Sequence, residues 1–269
     1  MPIIVAACTF QNFLMPPGLW VRQELSWVSI GATPQASQKY TPQGLTFAKN
    51  DIILAESWQD EKTKVYSLSL ENKSYHVKGQ FEMPPEAVHT SGLTWDGKFL
   101  WAIDYISRFI YKIDLYASFK TGKAVILAKM DSGLEGASSI AYFQWKQQDY
   151  MAIADFMNSG KTYLVSLDNL LEPGLVVKNS KFFYKNGYFV QGLAWDGKYL
   201  YESNNNLFRD SIYKIDINLA IKTKDFSSAI ISTFSTPGTM VEDLAIDGKK
   251  IMTTDESAFK IYEAWFDDN

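Results

Sequence analysis

Cysteine occurs once in these 269 residues, at Cys8, and histidine twice, at His76 and His89. A single thiol excludes an internal disulfide and a cysteine-based zinc cluster, and two histidines are too few for a histidine-rich metal centre. Excess charge of one sign is also missing. There are 26 Lys and Arg against 30 Asp and Glu, a formal net charge of -4, and the lysines are scattered. No basic stripe can track a phosphate backbone, so nucleic acid is not an expected partner. No run reaches the roughly 18 apolar residues of a membrane span, so no transmembrane segment is expected. The apolar start, Met1 to Cys8, ends in Val5-Ala6-Ala7-Cys8 like the tail of an export signal, yet no Lys or Arg precedes Arg22. Such signals need a basic start, so this is a weak hint of export, and the compartment stays open. Nucleotide-binding glycine loops and the Gly-x-Ser-x-Gly nucleophile elbow are absent, and no cofactor is expected.

What is present is a repeat. Gln191 to Ile217 opens on Gly-Leu with an aromatic two residues on, turns at Asp196-Gly197, alternates through Tyr199 to Glu202, and closes on a second alternating run from Ser211. The phrase returns at Gly92-Leu93 and, more loosely, at Gly44-Leu45, Ser139-Ile140 and Asp243-Leu244. The five anchors are 48, 47, 53 and 51 residues apart. A period of about 40 to 50 residues built from short alternating strands is that of propeller blades. Asp96-Gly97, Asp196-Gly197 and Asp247-Gly248 supply the positive φ of tight hairpins between first and second strands. Tyr66, Tyr111, Tyr163, Tyr213 and Tyr262 recur in the third strands and are expected to pack between sheets. Phe47, Trp95 and Trp195 are likewise expected in the core.

The fold expected is therefore all-β, a five-bladed β-propeller with four antiparallel strands per blade. Fourth strands are read at Ser74 to Phe81, Ala124 to Met130, Leu175 to Phe182 and Ala229 to Phe234. The fifth copy has none before the chain stops. An incomplete blade leaves backbone donors and acceptors unpaired. The alternating stretch Leu25 to Ile30 is expected to fill the gap and close the ring. Residues 1–24, broken by Pro16-Pro17-Gly18, read as a tail, and residues 25–269 as one propeller, expected to act as a monomer.

In an antiparallel meander the start of the first strand and the end of the second share one face. The residues before the anchors, Gln43, Ser91, Ser138, Gln191 and Glu242, should ring the mouth of a central channel, all of them polar. Twelve residues beyond the anchors stand Glu56, Asp104, Asn204 and Asp255, with Asp155 the equivalent in the third copy, as a second ring further out. Two carboxylates about 6 Å apart at an effective dielectric near 20 repel by roughly 3 kcal/mol. The outer acids must accept donors, hold a proton or share a cation. Tying down loops is one reading and ligand binding another. Trp58, Tyr105 and Phe156 follow these acids closely and are placed to wall a recess for a peptide or small molecule. His89 lies beside Ser91 in sequence, but successive strand side chains diverge, which argues against a serine–histidine pair.

Phe189-Val190-Gln191-Gly192-Leu193 with Leu200-Tyr201-Glu202-Ser203 resembles the Phe-Thr-Gln-Gly-Leu and Tyr-Glu-Ser phrase of the plant-type glutaminyl-peptide cyclotransferases, a five-bladed propeller family. Tyr40 to Leu45 with Ala55-Glu56-Ser57 is a looser second match. The resemblance implies cyclisation of an N-terminal glutamine, in which the peptide's own amine attacks the side-chain carboxamide and ammonia leaves. It also implies a glutamine before the Gly-Leu of one blade and a glutamate before that of the next. Gln43 is followed by Ser91, which lacks the acid. Gln191 followed by Glu242 restores the order, with Asp243 in place of the glycine. Transferred to these positions, the family's roles make Glu242 the proton carrier and Gln191 and Gln43 the groups that orient the carboxamide.

Two other functions fit the same face. One is a non-enzymatic propeller that binds a ligand or partner protein there, since this fold hosts many unrelated tasks. The other is a metal-dependent hydrolase or lactonase with a hard cation such as Ca²⁺ on the outer carboxylates. No continuous calcium loop accompanies them, and no metal ligand is assigned.

Overall fold

The computed structural model describes residues 22–36, 40–57, 62–156, 158–187, 189–205 and 210–266. The sequence-based expectations for Met1 to Cys8 and for Trp58 lie outside the described residues.

The chain enters through β1 (Arg22–Gln23) and β2 (Val28–Ala32) and then lays down five sheets in sequence. Blade 1 is β3 (Thr41–Ala48), β4 (Asp51–Ser57), β5 (Lys64–Glu71) and β6 (Ser74–Glu82). Blade 2 is β7 (Thr90–Trp95), β8 (Leu100–Asp104), β9 (Phe109–Asp114) and, after helix α1 (Leu115–Thr121), β10 (Val125–Asp131). Blade 3 is β11 (Ala137–Trp145), β12 (Gln148–Asp155), β13 (Lys161–Ser166) and, after α2 (Leu167–Leu170), β14 (Phe182–Lys185). Blade 4 is β15 (Val190–Trp195), β16 (Leu200–Asn204), β17 (Ser211–Ile215), α3 (Ile217–Thr223) and β18 (Ile230–Phe234). Blade 5 has β19 (Val241–Asp247), β20 (Lys250–Asp255) and β21 (Lys260–Trp265).

The missing strand of blade 5 is β2. It pairs antiparallel with β21, Val28 opposite Glu263 and Ala32 opposite Lys260, so the two ends of the chain complete one sheet. The closing strand starts three residues later than the sequence reading placed it. β1 adds a short parallel fifth strand to blade 4, with Arg22 opposite Thr233. Each innermost strand packs against that of the next blade, and β19 returns to β3. The ring is closed.

Local chemistry fixes the hairpins. Asp96 Oδ1 accepts from Lys98 N and Phe99 N at 2.8 and 2.6 Å, with Gly97 at φ 92. Asp196 does the same with Lys198 N and Tyr199 N at 2.8 and 2.7 Å. The second Asp oxygen then accepts from Trp101 Nε1 in one blade and Tyr201 Oη in the other. The core is laid down between neighbouring sheets: Leu93, Ala102, Tyr111 and Ile113 pack with Ile53, Val65 and Phe81 of the preceding blade. Tyr66 and Tyr111 are buried, whereas Tyr163, Tyr213 and Tyr262 are half-buried. Phe47, Trp95 and Trp195 are only partly buried, because they line a hollow of about 100 Å³ at the end of the channel away from the mouth.

Two local expectations are corrected. The fourth strand of blade 3 is Phe182–Lys185 alone, because Val176–Asn179 winds into a 3₁₀ turn that buries Val176. Helices also stand between third and fourth strands where alternation gave no sign of them. Asp114 caps α1 by accepting from Ala117 N, and Asp216 caps α3 by accepting from Asn218 N and Leu219 N. None of the described helices is long and apolar enough to cross a membrane.

Candidate functional site

The ends of the second strands and the starts of the first strands meet at one mouth, as the meander dictates. The outer ring is present there, and its side chains are turned onto their own loops. Asp104 accepts from His89 N and Ser107 N, each at 2.7 Å. Asp255 accepts from Thr239 N, Ala258 N and Ser257 Oγ at 3.1, 2.8 and 2.6 Å. Glu56 accepts from Gln35 N at 3.1 Å, and Asp155 from Asn158 N at 3.4 Å and from Ser159 N. Asn204 bonds to the carboxyl of Glu202. All five outer-ring residues are buried. Among the described residues no group of three or more His, Cys, Asp or Glu is arranged to hold a metal ion.

The inner ring is less uniform than its sequence suggests. Ser91 Oγ donates to the carbonyl of Ala137 in the next blade at 2.9 Å, and Ser138 Oγ to that of Ala154 at 3.3 Å. Gln43 is buried, with its amide nitrogen 3.3 Å from Thr41 Oγ1 in its own strand. Gln191 keeps part of its surface exposed and donates through Nε2 to Oε1 of Glu242 at 3.3 Å. Blade 4 thereby touches blade 5 through the two residues whose order resembles the cyclotransferase pattern. Gln43 belongs to blade 1, on the other side of blade 5.

Glu242 is the chemically unusual member. It is only 1% exposed, and burial raises its pKa well above the ordinary value; the charge and side-chain hydrogen bond of Glu256 and the nearby Asp243 and Asp255 raise it further. Its carboxyl is therefore biased towards the protonated form. Glu256 follows β20 directly, with its N–H donating to Met240 O at 2.9 Å, so β19 and the β20 end present their two glutamates together. Sequence reasoning missed Glu256, which stands one residue past the loop-fixing Asp255.

Aromatic side chains form a contiguous arc. His89 lies against Tyr105 at 5.6 Å between ring centroids, Tyr105 against Phe156 at 6.3 Å and Phe156 against Phe189 at 5.3 Å. This arc spans blades 2, 3 and 4. Burial lowers the pKa of His89, opposed by Asp104 and Glu256, so its imidazole is neutral at physiological pH. Phe189 sits at φ 51, a left-handed conformation costly for a bulky residue. It is held there by Phe189 N donating to Phe156 O at 2.6 Å and Asn205 N donating to Phe189 O at 2.9 Å. His89 and Phe189 also went unassigned in the sequence, although Phe189 opens the phrase that carries the resemblance.

A second buried acid, Glu202, faces blade 3. Gly187 N donates to it at 3.0 Å and Tyr184 Oη at 3.4 Å. Burial pushes its pKa up to about 7 against these donors.

No family model matches the chain, and no curated protein matches it in sequence. Among solved structures it is similar to the glutaminyl cyclase of Myxococcus xanthus, with a TM-score of 0.59 and 12% identity, over 92% of this chain and 100% of that one. At that identity the likeness concerns the fold alone.

Proposed function

We propose that this protein is a glutamine cyclotransferase-like acyltransferase acting on peptides with an N-terminal glutamine, and that Glu242 moves the proton. The observation that carries the reading is the Gln191–Glu242 contact at the channel mouth, beside a second glutamate. The substrate's free α-amine attacks its own γ-carboxamide carbon. Oxygen gains charge in the tetrahedral intermediate, the carbon–nitrogen bond then breaks, and ammonia leaves. Over the reaction the attacking nitrogen gives up one proton and the departing nitrogen takes one, so the balance closes through a single shuttling group. A carboxyl whose pKa is raised by burial is suited to supply the proton to the departing nitrogen, and its conjugate base to accept the other; such catalysis is worth about 10² to 10⁴ in rate. Gln191 has the donor needed to orient a carboxamide oxygen. Gln43, on the first strand of the neighbouring blade 1, is proposed to help hold the substrate amide.

Two departures shape the proposal. Ser91 stands where the first glutamine-containing pair would have its acid, so the working pair is placed in blades 4 and 5. Asp243 occupies the glycine position after Glu242. The test is incubation with a glutaminyl peptide, reading ammonia release and the matching mass loss. Release by the wild type that Glu242→Gln abolishes supports the reading, and no release by the wild type overturns it.

A second reading, peptide binding without turnover, is favoured by the near-complete burial of Glu242. Tyr105, Ser91, Ser138 and the outer-ring Glu56, Asp104, Asp155, Asn204 and Asp255 would then shape or support a binding surface. Saturable peptide binding without ammonia release would select it.

A further inference from the structure

At the start of every first strand the pairing with the second strand slips. The register shifts between Pro42 and Leu45, Thr90 and Gly92, Ala137 and Ser139, Val190 and Gly192, and Val241 and Leu244. A bulge takes an N–H out of the ladder and re-aims it. Here the freed donors turn to the axis. Leu45 N and Leu93 N donate to Oδ2 of Asp243 at 2.9 and 3.0 Å, and Ser139 Oγ and Leu193 N donate to Oδ1 at 3.0 and 3.4 Å. Leu193 N also reaches Ser139 Oγ at 2.9 Å. One side chain of blade 5 is thus bonded to the innermost strands of the other four blades, and the open channel expected from the sequence is closed at this point.

The innermost strands come close enough for this because of their glycines. A Cβ on Gly92 would meet Ser139 Cα at 2.8 Å and Ile140 N at 2.9 Å, and one on Gly192 would meet Leu244 N at 2.7 Å and Asp243 Cα at 2.8 Å.

We propose that the hub of this propeller is a binding site for one small carboxylate-like anion, and that Asp243 fills it with a tethered carboxylate. Neutral N–H groups converging on a concavity form an anion nest. The donors are disposed in two pairs, one on each oxygen, which matches a planar group with two acceptor atoms. Burial raises the Asp243 pKa to about 8, and the hydrogen bonds from Leu45 N, Leu93 N and the Ser139 hydroxyl act against it, because donors aimed at a carboxyl favour its ionised form. Occupancy also fixes the first residues of β19, and with them the neighbouring Glu242. Deleting the side chain should leave the four donors facing a space the size of the lost group. Free formate has the size, shape and acceptor count to enter it.

The site does not depend on the proposed cyclisation, and its test does not use it. Thermal unfolding of Asp243→Ala is followed in sodium formate and in sodium chloride of equal concentration, beside the wild type. A lowered midpoint that formate raises saturably, beyond chloride, in the variant and not in the wild type supports the site. Equal responses in both proteins, or none in the variant, overturn it. If Asp243→Ala is recovered only unfolded, refolding from urea in the same two salts reads the same interaction through tryptophan fluorescence. Native signal regained in formate alone supports the proposal, and regain in neither salt, or equally in both, overturns it.

Discussion

Gln191 of blade 4 donates its amide to the buried carboxyl of Glu242 in blade 5, 3.3 Å away, across the boundary between two sheets. Removing either side should affect the proposed chemistry differently. Gln191→Ala is expected to lower kcat by about tenfold to a hundredfold, the effect of a lost orienting hydrogen bond worth roughly 1.5–3 kcal/mol. Glu242→Gln is expected to remove the proton carrier and cost about 10² to 10⁴ in rate. Steady-state ammonia release for the two variants checks both.

Burial raises the pKa of Glu242 most, and Glu256 raises it further through its charge and hydrogen bond. Glu256→Gln removes the charge that favours the neutral form. The pKa of Glu242 should then fall, and the high-pH limb of the rate profile, where the acid form is lost, should move to lower pH. A profile that keeps its limb in place while its height drops would show that Glu256 acts only on packing.

Burial of Glu202 and Glu56 makes stability depend on pH with a definite sign. Each has a folded pKa of about 7, raised by desolvation from 4.5. A raised pKa means that the folded protein binds more protons than the unfolded chain between those values. The associated stability is present below pH 4.5 and is lost as pH rises through 7. For Glu202, which is fully buried, the difference is on the order of 3 kcal/mol. Urea midpoints should therefore fall from pH 5 to pH 8, and Glu202→Gln should flatten part of that slope. An unchanged slope in the variant would refute the assignment to Glu202.

How legible this was in the sequence follows from the physics of each element. Strand alternation and the Gly-Leu anchors come from contacts repeated in every blade, so the ring, the hairpins and the closing role of the segment near Trp27 could all be read. The helices could not, because α1 and α3 begin directly after alternating strands and depend on the Asp114 and Asp216 caps. The outer carboxylates were readable as a ring, whereas their bonds to loop amides require coordinates. Asp243 reads in one dimension as a departure from a glycine pattern. Only the bulged strands of the other blades reveal what it accepts.

The close approach of the innermost strands makes Gly192 sensitive to one methyl group. A Cβ there would lie 2.6 Å from Ser203 Oγ, 2.7 Å from Leu244 N and 2.8 Å from Asp243 Cα. Two of these atoms are backbone and cannot rotate away, so β15 and β19 must separate. Gly192→Ala is expected to destabilise the protein by about 1–3 kcal/mol, as overpacking does, and to disturb the Asp243 contacts beside it. Gly97→Ala, at a turn where an added Cβ meets nothing within 4 Å, pays only for its φ of 92 and serves as the control. Denaturant midpoints of the two variants should show the larger loss at Gly192, and the reverse order would mean that the blades do not close as tightly at the hub as these distances require.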